Sequence, residues 1–183
     1  MRHGQSKANL AGIIVSRVET DASGDYGLSE TGREQVLAAA RSCQLPAGTL
    51  VCSSDFARAA QTARIMAEYL GSPRVVFTPA LRERCFGAWE GTPTANYHEV
   101  WAADEAGAGG NGVEPPPCVL DRATTFILDL EGRHAGLDIL LVSHGDTLQI
   151  LQAGFGRTDP ARHRHLPHLE TAEIRPMWLA AAR

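Results

Sequence analysis

Apolar and polar residues along the chain follow two different periods. Short apolar runs rich in β-branched residues predict strands at 49–52, 75–78 and 138–143, and a weaker one at 172–177. Stretches whose apolar residues recur with a helical period predict helices at 29–43, 55–70, 120–133 and 146–153. Parallel strands need crossover connections, which the intervening helices supply. The pattern therefore predicts an α/β fold, a three-layer α/β/α sandwich with a mostly parallel sheet.

No shift in composition divides the chain into parts. Its 183 residues are enough for one domain with a sizeable core, so we predict a single domain over 1–183. The segment 92–117 holds Ala-Gly-Ala-Gly-Gly and three successive prolines and has no sustained period. We interpret this segment as a variable excursion or lid on that domain.

Composition and charge exclude several classes of protein. A formal net charge of -4 gives no general attraction to nucleic acid or to an anionic membrane surface. No apolar run approaches the roughly 18 residues of a membrane span. The four cysteines form no CxxC pair, so we interpret them as free thiols and predict a cytoplasmic protein.

Chemically active side chains stand next to the predicted strands. His144 follows the strand at 138–143 directly and precedes a predicted helix, which is where α/β sheets bind ligands. Arg58 lies in the first turn of the helix that follows the strand at 49–52, and Glu83 lies among arginines shortly after the strand at 75–78. Arg2 and His3 stand at the start of the chain. If the strand ends meet, two imidazoles, two guanidiniums and one carboxyl group share a crevice.

These groups suit phosphoryl transfer. An imidazole can attack phosphorus, two arginines and a second histidine can hold the charge of the transferring group, and a carboxylic acid can protonate a departing alkoxide. The scheme requires no metal ion and no cofactor.

Five ordered motifs carry a resemblance to a known family. They are Arg-His-Gly-Gln-Ser-Lys-Ala-Asn at 2–9, Leu-Ser-Glu-Thr-Gly at 28–32, Ser-Ser-Asp-Phe-Ala-Arg-Ala-Ala-Gln-Thr-Ala at 53–63, Leu-Arg-Glu-Arg-Cys-Phe-Gly-Ala-Trp-Glu-Gly at 81–91 and Val-Ser-His-Gly-Asp at 142–146. The chain resembles the histidine phosphatase superfamily, the phosphoglycerate mutase-like enzymes, over nearly all of its length outside 92–117.

The resemblance implies a role for each of six residues. His3 would be the phosphorylated nucleophile, and Glu83 the proton donor and then the base. The phosphate pocket would be formed by Arg2, Arg58 and His144, with a further polar contact from Asn9.

The resemblance also implies a function and its alternatives. We expect a phosphatase that hydrolyses a small phosphomonoester metabolite through a phosphohistidine, with phosphoglycerate mutase as the close alternative. A phosphoprotein phosphatase or an inactive phosphate-binding module is the alternative from another class. The expected partner is a small phosphorylated substrate, with no nucleic acid and no membrane, and a homodimer remains open.

Some residues admit a second interpretation. Glu90 is a rival to Glu83 because it lies in the same loop, although the family pattern places the acid at Glu83. His163, His165 and His168 suggest a metal cluster, but no Cys or carboxylate stands among them at ligand spacing, so we interpret them as solvated loop histidines.

Two departures from the family pattern stand out. A buried strand normally precedes Arg-His-Gly, whereas only Met1 precedes Arg2 here, so we expect the natural chain to have residues upstream. Family members also often carry Gly-Glu-Ser after the excursion, where this chain has Gly-Val-Glu-Pro-Pro-Pro-Cys at 112–118. Substrate contacts expected there cannot be transferred to this chain.

Overall fold

The centre of the fold is a sheet of three parallel strands. The computed structural model describes residues 1–22 and 25–178, and over these its named strands are β1 (Leu50–Ser54), β2 (Val75–Thr78) and β3 (Ile139–Val142). They lie in the order β2-β1-β3, and both neighbouring pairs are parallel. The predicted strands at 49–52, 75–78 and 138–143 and the parallel sheet are confirmed.

Seven α-helices are named over the same residues. They are α1 (Lys7–Ala11), α2 (Val18–Asp21), α3 (Glu30–Ser42), α4 (Ala57–Leu70), α5 (Tyr97–Glu105), α6 (Pro116–Arg133) and α7 (Gly145–Phe155). A 3-10 helix, Pro160–His165, follows α7. All four helices expected from the helical period are present, and α6 and α7 are longer than expected.

Side chains of the strands alternate between two apolar layers. Val51 of β1 and Leu140 and Val142 of β3 pack with α3 and α4 in one cluster of buried residues. Cys52 of β1 packs on the other face with Leu130 of α6. This alternation follows from the period of two in a strand, and it gives the predicted three-layer α/β/α sandwich.

Close backbone packing brings α3 against the first residues of the chain. Ser29 caps α3 by accepting a hydrogen bond from the N–H of Gly32. A Cβ atom on Gly4 would lie 2.5 Å from the carbonyl oxygen of Gly32, and one on Gly32 would lie 1.9 Å from that of Gln5. Only glycine permits this approach, which fixes the loop that carries His3.

The predicted strand at 172–177 is wrong, and the excursion at 92–117 contains helices that the sequence pattern did not predict. The excursion at 92–117 contains α5 and the start of α6. The apolar residues of α5 follow the helical period only weakly, and the helix is stabilised because Val100 is buried against Ile14 and Phe86. The segment 172–177 forms no strand. It makes only two backbone hydrogen bonds to the chain start, from Ala172 N–H to the carbonyl of His3 and from Arg2 N–H to the carbonyl of Glu173.

The first residues of the chain extend the sheet beyond β3. Arg2 pairs with Ser143 in a parallel bridge, and the ammonium group of Met1 donates to the carbonyl of Leu141 at 2.7 Å. Burial lowers the pKa of that ammonium group to about 5. Next to Met1, between Leu141 and Ile174, lies a cavity of about 740 Å³ with mainly apolar walls. The nucleophile candidate therefore follows a short extended segment with an apolar cavity at its start.

Two further expectations concern membrane-spanning helices and the state of the cysteines. Among the described residues, no helix is both long and apolar enough to cross a membrane. The cysteines Cys43, Cys52, Cys85 and Cys118 are all free thiols, and the pKa of Cys52 is raised by burial to about 11.

Candidate active site

The carboxyl end of β3 and the chain start that pairs with it bring the two histidines together. The rings of His3 and His144 lie edge to face with their centroids 5.1 Å apart, and both side chains are buried. His3 follows the residue bridged to Ser143, and His144 directly follows Ser143. The crevice expected from the order of the elements is therefore present.

Hydrogen bonds fix the tautomer of His3. Its Nδ1 lies 2.7 Å from the carbonyl oxygen of Gly4, which can only accept, so Nδ1 carries the proton. Its Nε2 accepts a hydrogen bond from Nε of Arg58 at 3.2 Å. Burial, then the charges of Arg58 and Arg2, hold the pKa of His3 well below its usual range. The ring is neutral, with a lone pair on Nε2 that faces the crevice.

Arg58 lies in the first turn of α4, directly after β1. Its Nη2 donates to the carbonyl of Val15 at 2.9 Å, and its Nη1 lies 3.7 Å from a carboxylate oxygen of Asp21. The same Nη1 is buried without a hydrogen-bond partner among the described residues. A buried guanidinium nitrogen without an acceptor is costly, and it is well placed to donate to an anion.

His144 is the N-cap residue of α7. Its Nε2 lies 2.9 Å from the hydroxyl of Ser54, which also accepts a hydrogen bond from the N–H of Phe56. Nδ1 of His144 is buried and has no hydrogen-bond partner among the described residues. Burial and the charge of Arg58 lower the pKa of His144 well below its usual range. The neutral ring lies beside the N-terminus of a helix, which favours anions.

Arg2 supplies the second guanidinium. Its Nη1 donates to the carbonyl of Leu169 and contacts Nε2 of His168, both at 2.8 Å. Its Nε is buried without a hydrogen-bond partner among the described residues, close to Gly145. Arg2, Arg58 and His144 therefore each have one buried nitrogen without a hydrogen-bond partner among the described residues, and Arg58 and His144 contact His3.

Glu83 reaches the same region from the loop after β2. One of its carboxylate oxygens accepts from the N–H of Arg84 at 3.0 Å and lies 3.3 Å from the hydroxyl of Thr147 in α7. Burial, followed by the negative charge of Asp146, raises the pKa of Glu83, while Arg58 lowers it. The environment favours a protonated carboxyl group that can act as an acid.

Glu90 and Asn9 are engaged elsewhere. The carboxylate of Glu90 accepts hydrogen bonds from the N–H of Ser16 at 2.9 Å and from its hydroxyl at 2.5 Å, so it holds the 16–17 loop. The carboxamide oxygen of Asn9 accepts from the N–H and hydroxyl of Ser6 in a capping box at the start of α1. The hydrogen bonds of the Asn9 side chain all involve Ser6, so its phosphoryl contact stays a prediction.

The prediction that three later histidines are solvated is wrong for His163. Its side chain is fully buried, with Nδ1 2.9 Å from the carbonyl of Pro160 and Nε2 3.4 Å from a carboxylate oxygen of Asp146. His165 and His168 are exposed. His165 pairs with Glu105, whereas His168 contacts Arg2.

Asp146 is a site residue that the sequence reasoning missed. Its buried carboxylate accepts a hydrogen bond from Nε1 of Trp101 at 3.0 Å and lies 3.6 Å from Arg84 and 3.8 Å from Arg164. The carboxylate thus joins the Glu83 loop, the excursion and the segment after α7. Its position two residues after His144 was the available signal.

An aromatic and cationic row lines one side of the crevice. Tyr97 and Trp101, both on α5, stack at 5.3 Å with an angle of 10° between their planes, and the guanidinium of Arg164 lies 3.8 Å from the centroid of the Trp101 ring. Burial, then the charges of Glu83 and Asp146, raise the pKa of Tyr97. This row lies close to the carboxyl group of Glu83.

The arrangement can bind and transfer a phosphoryl group. A neutral imidazole whose Nε2 accepts from Arg58 lies with two arginines and a second histidine, and a carboxyl group with a raised pKa lies nearby. These are the groups that histidine-based phosphoryl transfer requires.

Comparison with known proteins gives the same class. The family model for the histidine phosphatase superfamily (branch 1) matches residues 1–177, so the chain belongs to that superfamily. The sequence resemblance to phosphoglycerate mutase-like enzymes is confirmed.

Two of the relatives by sequence are phosphatases of small metabolites by name. A glucosyl-3-phosphoglycerate phosphatase of Mycolicibacterium vanbaalenii is 32% identical over 84% of this chain and 71% of its own length. A metal-independent phosphoserine phosphatase of Arabidopsis thaliana is 29% identical over 82% of this chain and 65% of its own length.

Solved structures share the fold. A mycobacterial glucosyl-3-phosphoglycerate phosphatase in complex with VO3 superposes with a TM-score of 0.78 at 28% identity, over 93% of this chain and 85% of the other. Bacillus stearothermophilus YhfR superposes with a TM-score of 0.80 over 99% of this chain and 92% of the other, and at 22% identity it supports the fold alone.

Proposed function

We propose that the protein is a phosphatase that hydrolyses a small phosphomonoester through a phosphohistidine at Nε2 of His3. The observation that carries this proposal is a set of three buried nitrogens without hydrogen-bond partners on residues of the His3 site: Nε of Arg2, Nη1 of Arg58 and Nδ1 of His144. Buried polar atoms are nearly always hydrogen-bonded, so three such nitrogens on residues whose rings and charges act on His3 support an anion as their partner.

The first half-reaction transfers the phosphoryl group to the protein. The lone pair on Nε2 of His3 forms a bond to phosphorus as the bond from phosphorus to the ester oxygen breaks. Glu83 gives its proton to that oxygen, and the alcohol leaves. The two arginines and His144 hold the charge on the phosphoryl oxygens during the transfer.

The second half-reaction returns the site to its starting state. A water molecule gives a proton to the carboxylate of Glu83 and forms a bond to phosphorus while the bond to Nε2 breaks. Inorganic phosphate leaves, and His3 is again neutral with the proton on Nδ1. Asn9 would supply a further contact to the phosphoryl group through its amide nitrogen.

The surroundings of the two candidate acids support Glu83. Its carboxyl group is buried, its pKa is raised, and it lies beside Thr147 in the helix that begins next to His144. The carboxylate of Glu90 is saturated with hydrogen bonds from Ser16. We therefore assign the acid and base roles to Glu83 and a loop-holding role to Glu90.

The class of substrate is supported by the relatives. The names of the relatives specify the phosphomonoesters of small metabolites, glucosyl-3-phosphoglycerate and phosphoserine. The four free thiols are typical of a reducing compartment, and they support a cytoplasmic location. Light scattering measures whether the protein forms a homodimer.

A phosphate-release assay over a panel of phosphomonoesters tests the proposal. His3→Ala should abolish turnover, whereas His134→Ala, a histidine at the C-terminal end of α6, should leave it unchanged. Mass spectrometry after an alkaline quench should find phosphate on the peptide that holds His3. Turnover that survives in His3→Ala would overturn the proposal.

Two further measurements separate the alternatives. Rapid exchange between 2- and 3-phosphoglycerate without release of phosphate would identify a mutase. Glu83→Gln should lose activity mainly on alkyl phosphates and keep more of it on p-nitrophenyl phosphate, whose leaving group needs no proton. Glu90→Gln should lower activity on both esters to the same extent.

A further inference from the structure

We infer that Arg164, with His168, forms a second anion site that binds a carboxylate on the substrate's leaving group. This inference rests on the proposed function, because it extends the phosphate pocket from Arg2 outwards. It narrows the substrate to a phosphomonoester of a small acid.

The first observation is a row of cationic and imidazole groups that starts in the phosphate pocket. Nη1 of Arg2 lies 2.8 Å from Nε2 of His168, and Nδ1 of His168 lies 3.5 Å from Nη1 of Arg164. The two guanidiniums are thus separated by one imidazole ring. Partial burial, then the charges of Arg2 and Arg164, lower the pKa of His168, which is consistent with both cations acting on the ring.

The second observation is that this row is not internally satisfied. A neutral imidazole has one acceptor nitrogen and one N–H, yet both ring nitrogens of His168 face guanidinium donors. In one of the two contacts, therefore, an N–H of the imidazole points at an N–H of a guanidinium. An anion that accepts from the guanidinium edges would relieve this conflict.

The third observation concerns the free edge of Arg164. Its Nη1 contacts Gln149 and lies 3.8 Å from Asp146, but among the described residues its Nε and Nη2 have no hydrogen-bond partner. The nearest carboxylate, Asp146, is already engaged by Trp101 and Arg84. The side chain is 23% exposed, so an incoming group can reach its free nitrogens.

The fourth observation is that Arg164 is held in place before any ligand binds. Its guanidinium stacks on Trp101, which itself stacks on Tyr97. A stacked guanidinium presents its edge as a planar fork, which matches the two oxygens of a carboxylate. The excursion helix α5 therefore sets the direction in which this fork points.

The spacing limits the substrate. With the phosphoryl group on Arg2, Arg58 and His144, a second anion on Arg164 lies about one imidazole ring beyond Arg2. A small acid with only a few bonds between the phosphoester and the carboxylate can span that spacing. A long or neutral alcohol leaves the second site empty.

A matched pair of substrates tests this inference. L-phosphoserine and phosphoethanolamine differ only by the carboxylate, so kcat/KM is measured for both with the wild type, Arg164→Ala and Arg164→Gln. We expect both variants to lose roughly ten- to a hundredfold on phosphoserine, mainly through a higher KM, and to change little on phosphoethanolamine. Arg164→Lys should recover part of the loss. Arg162→Ala, an exposed arginine in the same 3-10 helix, is the matched control.

The outcomes separate this site from the proposed function. Equal losses on both esters, or no loss on either, would overturn the second anion site. If the folded wild type turns over neither ester, calorimetric affinities of the same pair replace the rates, and the phosphatase proposal fails only if the whole panel of phosphomonoesters gives no turnover. A selective loss of phosphoserine affinity in Arg164→Gln would still support the site, and unchanged affinity would refute it.

Discussion

Nε of Arg58 donates to Nε2 of His3 over 3.2 Å, so one guanidinium occupies the lone pair that the proposed reaction uses. The same guanidinium keeps Nη1 unpartnered 3.7 Å from Asp21. A phosphoryl group that enters the pocket offers new acceptors to Arg58 and releases the lone pair for attack. Arg58 thus fixes the ring of His3 in the free protein. In the complex with substrate it stabilises the negative charge on the phosphoryl oxygens.

Arg58→Lys tests this double role. A lysine keeps the positive charge but cannot donate to His3 and to phosphate oxygens with a planar fork. We expect kcat/KM to fall by roughly 10²- to 10³-fold, measured by phosphate release. Arg64→Lys, on the exposed side of the same helix, should change kcat/KM by no more than about twofold. Equal effects of the two variants would contradict the role.

Asp146→Asn tests the electrostatic control of Glu83. The charge of Asp146 raises the pKa of Glu83, and the proposed reaction needs Glu83 protonated. Removing that charge lowers the pKa of Glu83, so the alkaline limb of the kcat/KM profile should move to lower pH. Buried ion pairs are also broken, and the free energy of unfolding should fall by about 3 kcal/mol.

Asp104→Asn is the matched control for that variant. Asp104 pairs with the same buried Arg84 through two hydrogen bonds of 2.6 Å, but it is not among the charges that shift the pKa of Glu83. It should lower the free energy of unfolding without moving the alkaline limb. A limb that moves equally in both variants would refute the specific effect of Asp146.

In a protein prepared with Met1 as its first residue, the buried ammonium group predicts a dependence of stability on pH. Its pKa is about 5 in the folded protein against 8.0 for an ordinary chain terminus, so between these values the unfolded chain binds more protons. The free energy of unfolding should therefore rise as the pH increases from about 5 to about 8, by at most about 4 kcal/mol for this group. Urea unfolding across that range measures it.

An N-acetylated chain is the control for this rise. His3 and His144 also have lowered pKa values and add to the rise in the acid part of the range. Acetylation removes only the ammonium group, so the difference between the two pH curves isolates Met1. Identical curves would show that the ammonium group is solvated in the folded protein.

The cavity beside Met1 predicts the effect of a designed extension. Alternation along β3 places the backbone groups of Ile139 on the same side as Met1, where the cavity of about 740 Å³ lies. Four alternating Val and Thr residues ahead of Met1 can pair with this edge and bury apolar surface. We expect the free energy of unfolding to rise by roughly 2 to 4 kcal/mol. A Gly-Ser extension of equal length should give much less, and equal effects would contradict pairing.

The positions of the site residues could be predicted because the motifs lie at strand ends. His144 and Arg58 follow β3 and β1 directly, so a parallel sheet necessarily brings them to one edge. His3 was harder to place, because no predicted strand precedes it. Its position depends on the bridge from Arg2 to Ser143.

The rest of the site depends on tertiary contacts that leave little trace in the sequence. The period of α5 is weak, and the helix is stabilised by Val100 and by the stack of Tyr97 on Trp101. The carboxylate of Asp146 contacts Arg84 and His163 only because the fold brings these residues to it from distant segments of the chain. Segment 172–177 has the composition of a strand, but its backbone hydrogen bonds to the sheet are made only to the first residues of the chain.

The enclosed amine of Met1 has a practical consequence for labelling. Lys7 is the single lysine in the sequence, and its side chain is exposed at the start of α1. An amine-reactive fluorophore added to the folded protein should therefore attach at one position, four residues from His3. The emission of that dye would report the arrival and departure of substrate without any engineered cysteine.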